Sequence, residues 1–169
     1  MKAVDKAEIE EFLFHEADLL DDGRLEEWLK LFHKEGMYWI PIEPNADPLR
    51  DPSVLYDNES MRTSRVHQLI KTTNHWSQIP PSRTVHSISN VRVSAPQPDG
   101  SVEVRCNLII TEIRSAGPRT IQYGLNVQRT IAARCLYRLV KDADGWLIAL
   151  KKVILVNRDQ PLDNLTFMI

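Results

Sequence analysis

Cysteine is scarce in this chain of 169 residues. There are two, Cys106 and Cys135. That number excludes a disulfide-stapled secreted scaffold and any metal centre built on four thiolates. Both fall in strand-like segments and read as small buried hydrophobes in a reducing cytoplasm. Positive charge is not in excess, since 21 Lys and Arg face 23 Asp and Glu for a net charge of -2. A large nucleic-acid footprint needs more Lys and Arg than that. No apolar run approaches the ~18 residues of a membrane span. The first residues, MKAVDKAEIEEF, carry acids where a signal peptide needs an apolar segment, so a cytoplasmic location is expected. Histidine is spread over His15, His33, His67, His75 and His86. His67 and His75 are eight positions apart, about two helical turns, too far to share one ion unless the chain bends. No metal site is expected. No repeat or low-complexity tract is present, and 1–169 is expected to form one domain with a real core.

What is present is organised around residues 9–43, IEEFLFHEADLLDDGRLEEWLKLFHKEGMYWIPIE. At helical spacing Ile9, Phe12, Leu13, Ala17, Leu19 and Leu20 form one apolar arc. Gly23, in the break Asp21-Asp22-Gly23-Arg24, tolerates the left-handed conformation that ends a helix, and either Asp could cap the next one. A second helix is expected with Leu25, Trp28, Leu29 and Phe32 on one side, so helices span about 5–35. The strand 36–43 is apolar on both faces and is expected to be covered on both.

Residues 44–58 carry three prolines and no period, and read as a long surface loop. A third helix is expected over 59–73, with Met61, Val66, Leu69 and Ile70 as its apolar side and Arg62, Arg65 and Lys71 making it basic. Pro80-Pro81 ends any helix. Strands follow over about 84–157. In 101–114, Val102, Val104, Cys106, Leu108 and Ile110 alternate to one face. Residues 119–140 alternate too, with Ile121, Tyr123, Leu125, Val127 and Ile131 leading one face, but one strand of that length would extend ~70 Å. It must bend or break, and Gly124 is one site for that. Asp142-Ala143-Asp144-Gly145 reads as a hairpin turn and Trp146–Val156 as the last strand. The tail is 158–169. Helices first and long strands afterwards give an α+β class, with N-terminal helices packed on a strongly curved mixed or antiparallel sheet.

Glu16 sits in the middle of the apolar arc of the first helix. A carboxylate there is costly unless paired. The expected partner is a sheet arginine, Arg134 or Arg92; a catalytic acid is the alternative. Phe14 lies on the polar side of the same helix. With Tyr56, Trp76 and the tail residues Phe167, Met168 and Ile169, it is a candidate for an interface, where aromatics are enriched. The arginines on the polar face of the sheet read as a solvated face that could also meet acids of another subunit.

Three segments carry a family likeness: FLFHEADLLDDGRLEEWLKLF followed by MYWIP, RVHQLIKTTNHWSQIPPSRTVHSISNVRV, and DGWLIALKKVILVN. In this order they resemble the small (beta) subunits of aromatic-ring-hydroxylating dioxygenases, the Rieske non-haem iron oxygenases. The resemblance implies a cystatin-like or SnoaL-like cone shared with scytalone dehydratase and ketosteroid isomerase. It implies no cofactor in this chain, a Rieske [2Fe-2S] cluster and a mononuclear Fe(II) in an alpha subunit, and an α3β3 assembly with beta–beta contacts. In scytalone dehydratase-like members an Asp at the break after the first helix and a His entering a strand face a common pocket. Asp21 and His86 match those places. An imidazole held by a carboxylate is a plausible general base. The preferred expectation is that Asp21 caps the second helix, His86 bonds locally and neither is catalytic; the alternatives are a stand-alone dehydratase or isomerase using the Asp21–His86 pair, or a small-ligand binding module in the same cone.

Overall fold

Asp5 starts the first helix, its carboxylate accepting the Ala7 N–H at 3.0 Å. In this computed structural model, which describes residues 4–71, 80–115, 125–160, 165 and 167–169, helix α1 runs Lys6–Asp21. Ile9, Leu13, Glu16, Ala17, Leu19 and Leu20 are its buried side, as the arc required. It ends on Gly23, whose φ of +68° is left-handed. The Gly23 and Arg24 N–H groups donate back to the Leu20 and Leu19 carbonyls, closing the last turn.

Helix α2 is only Leu25–Leu29, capped by Arg24 without a side-chain hydrogen bond. Neither Asp21 nor Asp22 caps it. Helix also stops well before residue 35, because strand β1 is Phe32–Pro41. The spacing of Leu25, Trp28, Leu29 and Phe32 imitates a longer helix. Instead the Ile148 N–H takes the Leu31 carbonyl, and Phe32 pairs with Ile148 in a strand ladder. Tyr38, Trp39 and Ile40 are all buried, so β1 is covered on both faces as expected.

The proline-rich stretch is not all loop, since it holds strand β2, Ser53–Asp57, antiparallel to β1. Helix α3 is Glu59–Lys71. Val66 is its buried anchor, but Met61 and Ile70 are exposed while Arg62 is buried. The Arg62 guanidinium lies 4.1 Å over the Phe32 ring and donates to the Gly36 and Asp57 carbonyls. An apolar stem, a ring beneath it and backbone acceptors let an arginine occupy a place expected of a hydrophobe.

Strands β3 (Arg83–Val93), β4 (Val102–Ile113), β5 (Arg129–Lys141) and β6 (Trp146–Leu155) complete an open sheet in the order β2-β1-β6-β5-β4-β3. The β1–β6 pair is parallel and the others antiparallel, so the sheet is mixed and the class α+β. In β4, Val102, Val104, Cys106, Leu108 and Ile110 are buried as predicted. The turn at Asp142 is also as predicted, with the Asp142 carboxylate accepting the Asp144 and Gly145 N–H groups. The alternation read over 119–140 begins as strand only at Arg129. Asn126 has a φ of 61° and Val127 is exposed, so Leu125 and Val127 belong to the approach to β5. Gly124, the bend candidate, lies outside the described residues, as do Ile121 and Tyr123.

Gly36 lies where the β1–β6 register shifts, between Phe32 and Met37. A Cβ there would stand 2.3 Å from the Ile148 carbonyl oxygen and 2.8 Å from that of His33. Both obstacles are backbone, so the ladder itself would have to move. Gly36→Ala is expected to cost about 1–3 kcal/mol in urea unfolding; a midpoint equal to wild type would show that the two strands have room to separate.

Candidate functional site

Two polar centres face the same side of the sheet. The first is Glu16, which is 1% exposed. Its Oε1 takes the Lys151 ammonium at 2.8 Å and the Trp28 indole N–H at 3.0 Å, and its Oε2 takes the Tyr137 hydroxyl at 2.9 Å. The partner is therefore a lysine of β6, and Arg134 and Arg92 do not fill that role. Lys151 is itself 1% exposed. Its ammonium lies 5.7, 5.8 and 6.0 Å from the ring centroids of Tyr137, Tyr38 and Trp28. The cation is thus neutralised by one carboxylate and surrounded by three aromatic rings. Burial, and then the Glu16 charge, push the Tyr137 hydroxyl well above its ordinary pKa, so it remains a donor.

Phase shifts in the strands explain the change of partner. In β6 the inward residues are Trp146 and Ile148, then Lys151, Val153 and Leu155. The register slips opposite Arg138 and Leu139, which turns Lys151 inward and Lys152 outward. In β3 a slip between Ser89 and Arg92, with Asn90 at φ 56°, turns Val91 inward and Arg92 outward.

The second centre joins the end of α1 to β3. His86 Nδ1 stands 2.5 Å from Asp21 Oδ1. The Thr84 hydroxyl donates to the same carboxylate at 2.7 Å, and the His86 backbone N–H donates to Oδ2 at 2.8 Å. Asp21 is thus turned to β3, and the expectation of a helix cap with a locally bonded His86 is corrected. Burial alone would raise the Asp21 carboxyl, but the bonds from His86 and Thr84 outweigh it and hold the carboxyl below its ordinary value. The His86 side chain is 2% exposed, and its Nε2 is buried with no hydrogen-bond partner among the described residues. Nearby is a cavity of about 320 Å³ walled by Leu20, Leu25, Leu69, Ile70, Phe167 and Met168. Ser82 and Thr84 also line it, with their hydroxyls turned to Glu112 and Asp21. Its described lining does not include His86.

The remaining candidates separate. Phe14 is 44% exposed on α1. Tyr56 packs edge-on against Trp39 with ring centroids 5.7 Å apart. Met168 and Ile169 are buried in the chain's own core, so they are not free surface. The Ile169 N–H and carbonyl both bond the Tyr38 hydroxyl at 3.1 Å. Phe167 packs against that core with the Arg129 guanidinium 5.6 Å over its ring. Trp76 lies outside the described residues. Cys106 and Cys135 are buried, unbridged and directly opposed on β4 and β5. Among the described residues no three His, Cys, Asp or Glu side chains are grouped to hold a metal ion, and no helix is long and apolar enough to cross a membrane.

The Glu16 centre makes a quantitative demand. Glu16→Ala strands the Lys151 ammonium and is expected to cost about 3–5 kcal/mol in denaturant unfolding. Removing both charges, as Glu16→Leu with Lys151→Met, should cost less than the sum of the single changes. A Glu16→Ala variant within about 0.5 kcal/mol of wild type would show a centre that water can reach.

Comparison with known proteins turns this geometry into kinship. The p-cumate 2,3-dioxygenase small oxygenase component of Pseudomonas putida is 38% identical over 95 residues, which cover 54% of this chain and 52% of that protein. The chain thus spans about half of that relative's length. The benzoate 1,2-dioxygenase beta subunit of Burkholderia mallei is 25% identical with a TM-score of 0.74, covering 99% of this chain and 100% of the other. A protein described as a scytalone dehydratase, from Novosphingobium aromaticivorans, is 13% identical with a TM-score of 0.59, covering 89% and 83% of the two chains. That likeness is one of fold alone. The family model for the ring hydroxylating beta subunit matches residues 15–160. By that match the chain belongs to the ring-hydroxylating beta-subunit family.

Proposed function

We propose that this chain is the non-catalytic small subunit of a cytoplasmic aromatic-ring-hydroxylating oxygenase. Its partner is the large, alpha subunit, which carries the Rieske [2Fe-2S] cluster and the mononuclear Fe(II), in an α3β3 assembly with beta–beta contacts. The complex hydroxylates an aromatic ring with O2 and electrons drawn from NAD(P)H. The donor chemistry of the described residues does not fit either iron group, since no three His, Cys, Asp or Glu side chains are grouped among them. A Rieske centre takes two thiolates and two imidazoles. Here the two thiols oppose one another in the core. The described histidines sit on separate elements, His15 on α1, His33 on β1, His67 on α3 and His86 on β3.

One observation carries the non-catalytic reading. The dyad is assembled, but His86 Nε2, the atom that would exchange a proton with substrate, is enclosed. A general base must reach the proton that it takes. The same short Asp21–His86 contact favours the second reading, a stand-alone dehydratase or isomerase. In the first reading, Asp21, Thr84 and His86 pin the end of α1 to β3.

The test is to reconstitute the complex with Asp21→Asn and His86→Gln, singly, and to measure oxygenation per assembled complex. Loss of a general acid–base pair would lower kcat ~10²-fold or more. Less than about a fivefold change is expected, with any larger effect appearing as poor assembly or a lower Tm. A hundredfold drop in a fully assembled, equally stable complex would contradict the reading.

A further inference from the structure

A bulge in β3 gathers arginines on the outer face of the sheet. The slip between Ser89 and Arg92, with Asn90 at φ 56°, turns Arg92 outward, and re-aiming a side chain is a common use of a bulge. There Arg92 stands directly opposite Arg105 of β4, while Arg134 of β5 stands opposite Asn107, the next outward residue of β4. Side chains opposed across a ladder share a face, and like charges placed so destabilise a sheet. Arg105 has a counter-ion in Glu103, at 2.7 Å. Arg92 and Arg134 are exposed and have no acidic partner among the described residues. The chain thus holds repelling charges together without neutralising all of them itself, and an anion from outside would supply the balance.

The arginines border a cleft of about 620 Å³, a size that takes a small molecule. Its neutral donors are the amides of Asn45, Asn90 and Asn107. Leu136, opposite Lys152, and Ile154, opposite Arg134, give it an apolar floor. Lys152 fixes the far wall, since its ammonium donates to the Pro44 carbonyl at 2.8 Å and lies 4.1 Å over the Trp39 ring. No Asp or Glu is among its described lining residues. Arg92 and Arg134 are two strand spacings apart, roughly 10 Å, so both side chains reach an anion held over Arg105 and Asn107.

We propose that this cleft binds a small organic oxyanion that carries more than one negative charge, either a phosphate ester or a polycarboxylate. Arg92, Arg105 and Arg134 surround the charged oxygens, because a guanidinium fork matches carboxylate and phosphate alike. Asn107 donates between them, and Leu136 and Ile154 take the carbon body. Such a site does not depend on the oxygenase reading, and it lies away from the Asp21–His86 pair, on the outer face of the sheet.

The test is titration calorimetry of the purified full chain with phenyl phosphate and with citrate, at fixed ionic strength set by chloride. At least one of them should bind saturably at one per chain. Arg92→Gln and Arg134→Gln should each weaken that binding at least about tenfold, with Tm unchanged because both side chains are exposed. Arg138→Gln removes the same charge from β5 outside the cleft and should leave binding within about twofold. Sedimentation of the same samples should show an unchanged mass as the anion binds. Neither anion binding beyond chloride would overturn the proposal. So would an Arg138→Gln loss as large as that of Arg134→Gln, which would assign the attraction to the charge of the whole face. Binding that occurs only as an oligomer dissociates would hand the arginines to acidic side chains of another chain, and would also overturn it.

Discussion

A carboxylate and an ammonium that are both removed from water persist only if each is fully matched. Glu16 and Lys151 meet that condition with an ion pair, an indole N–H, a phenol and a cage of three rings. The partners come from α1, α2, β1, β5 and β6. No one of these elements can shift without exposing a charge or orphaning a donor. Tyr38 extends the constraint to the C-terminal tail, because its hydroxyl holds Ile169 by both backbone groups. The centre thus specifies how helices, sheet and tail are arranged.

The second polar centre follows from the first. With α1 fixed at Glu16, its last residue, Asp21, arrives at β3 and is satisfied by Thr84 and by both nitrogens that His86 offers it. The same geometry in an open pocket would be a general base. Here the free imidazole nitrogen is enclosed, and the hydroxyls lining the neighbouring cavity are turned to carboxylates. The described helices pack on one face of the sheet.

Much of the fold was legible because its signals are local. The apolar arc of α1, the left-handed Gly23, the alternation of β4 and the Asp142 turn each follow from a few neighbouring residues. Glu16 was legible as buried for the same reason. Its partner was not, because strand slips in β6 and β3 invert which side chains face inward; nothing in LKKVIL marks its slip, and SNVRV offers only Asn90, a residue that tolerates the left-handed conformation. The short α2 was hidden by Phe32, whose spacing suits a helix but whose backbone pairs with β6. The strand β2 was hidden by prolines, which an edge strand tolerates. Arg62 was hidden by its charge, since only the tertiary structure supplies Phe32 beneath it. The Asp21–His86 pairing was visible only through the family likeness; residues 65 positions apart in sequence carry no local sign of contact.

On the function proposed above, this chain shapes an oxygenase whose chemistry lies in the large subunit. The most direct measurement co-expresses the chain with a large subunit of the family, purifies the complex and separates the subunits without oxidation. Iron is then counted in each fraction, and the iron–sulfur absorbance is followed. All iron and all of the absorbance should travel with the large subunit, and the separated small chain should refold free of metal and still bind the large one. Stoichiometric iron on the small chain, or turnover of an aromatic substrate by it alone, would contradict the claim.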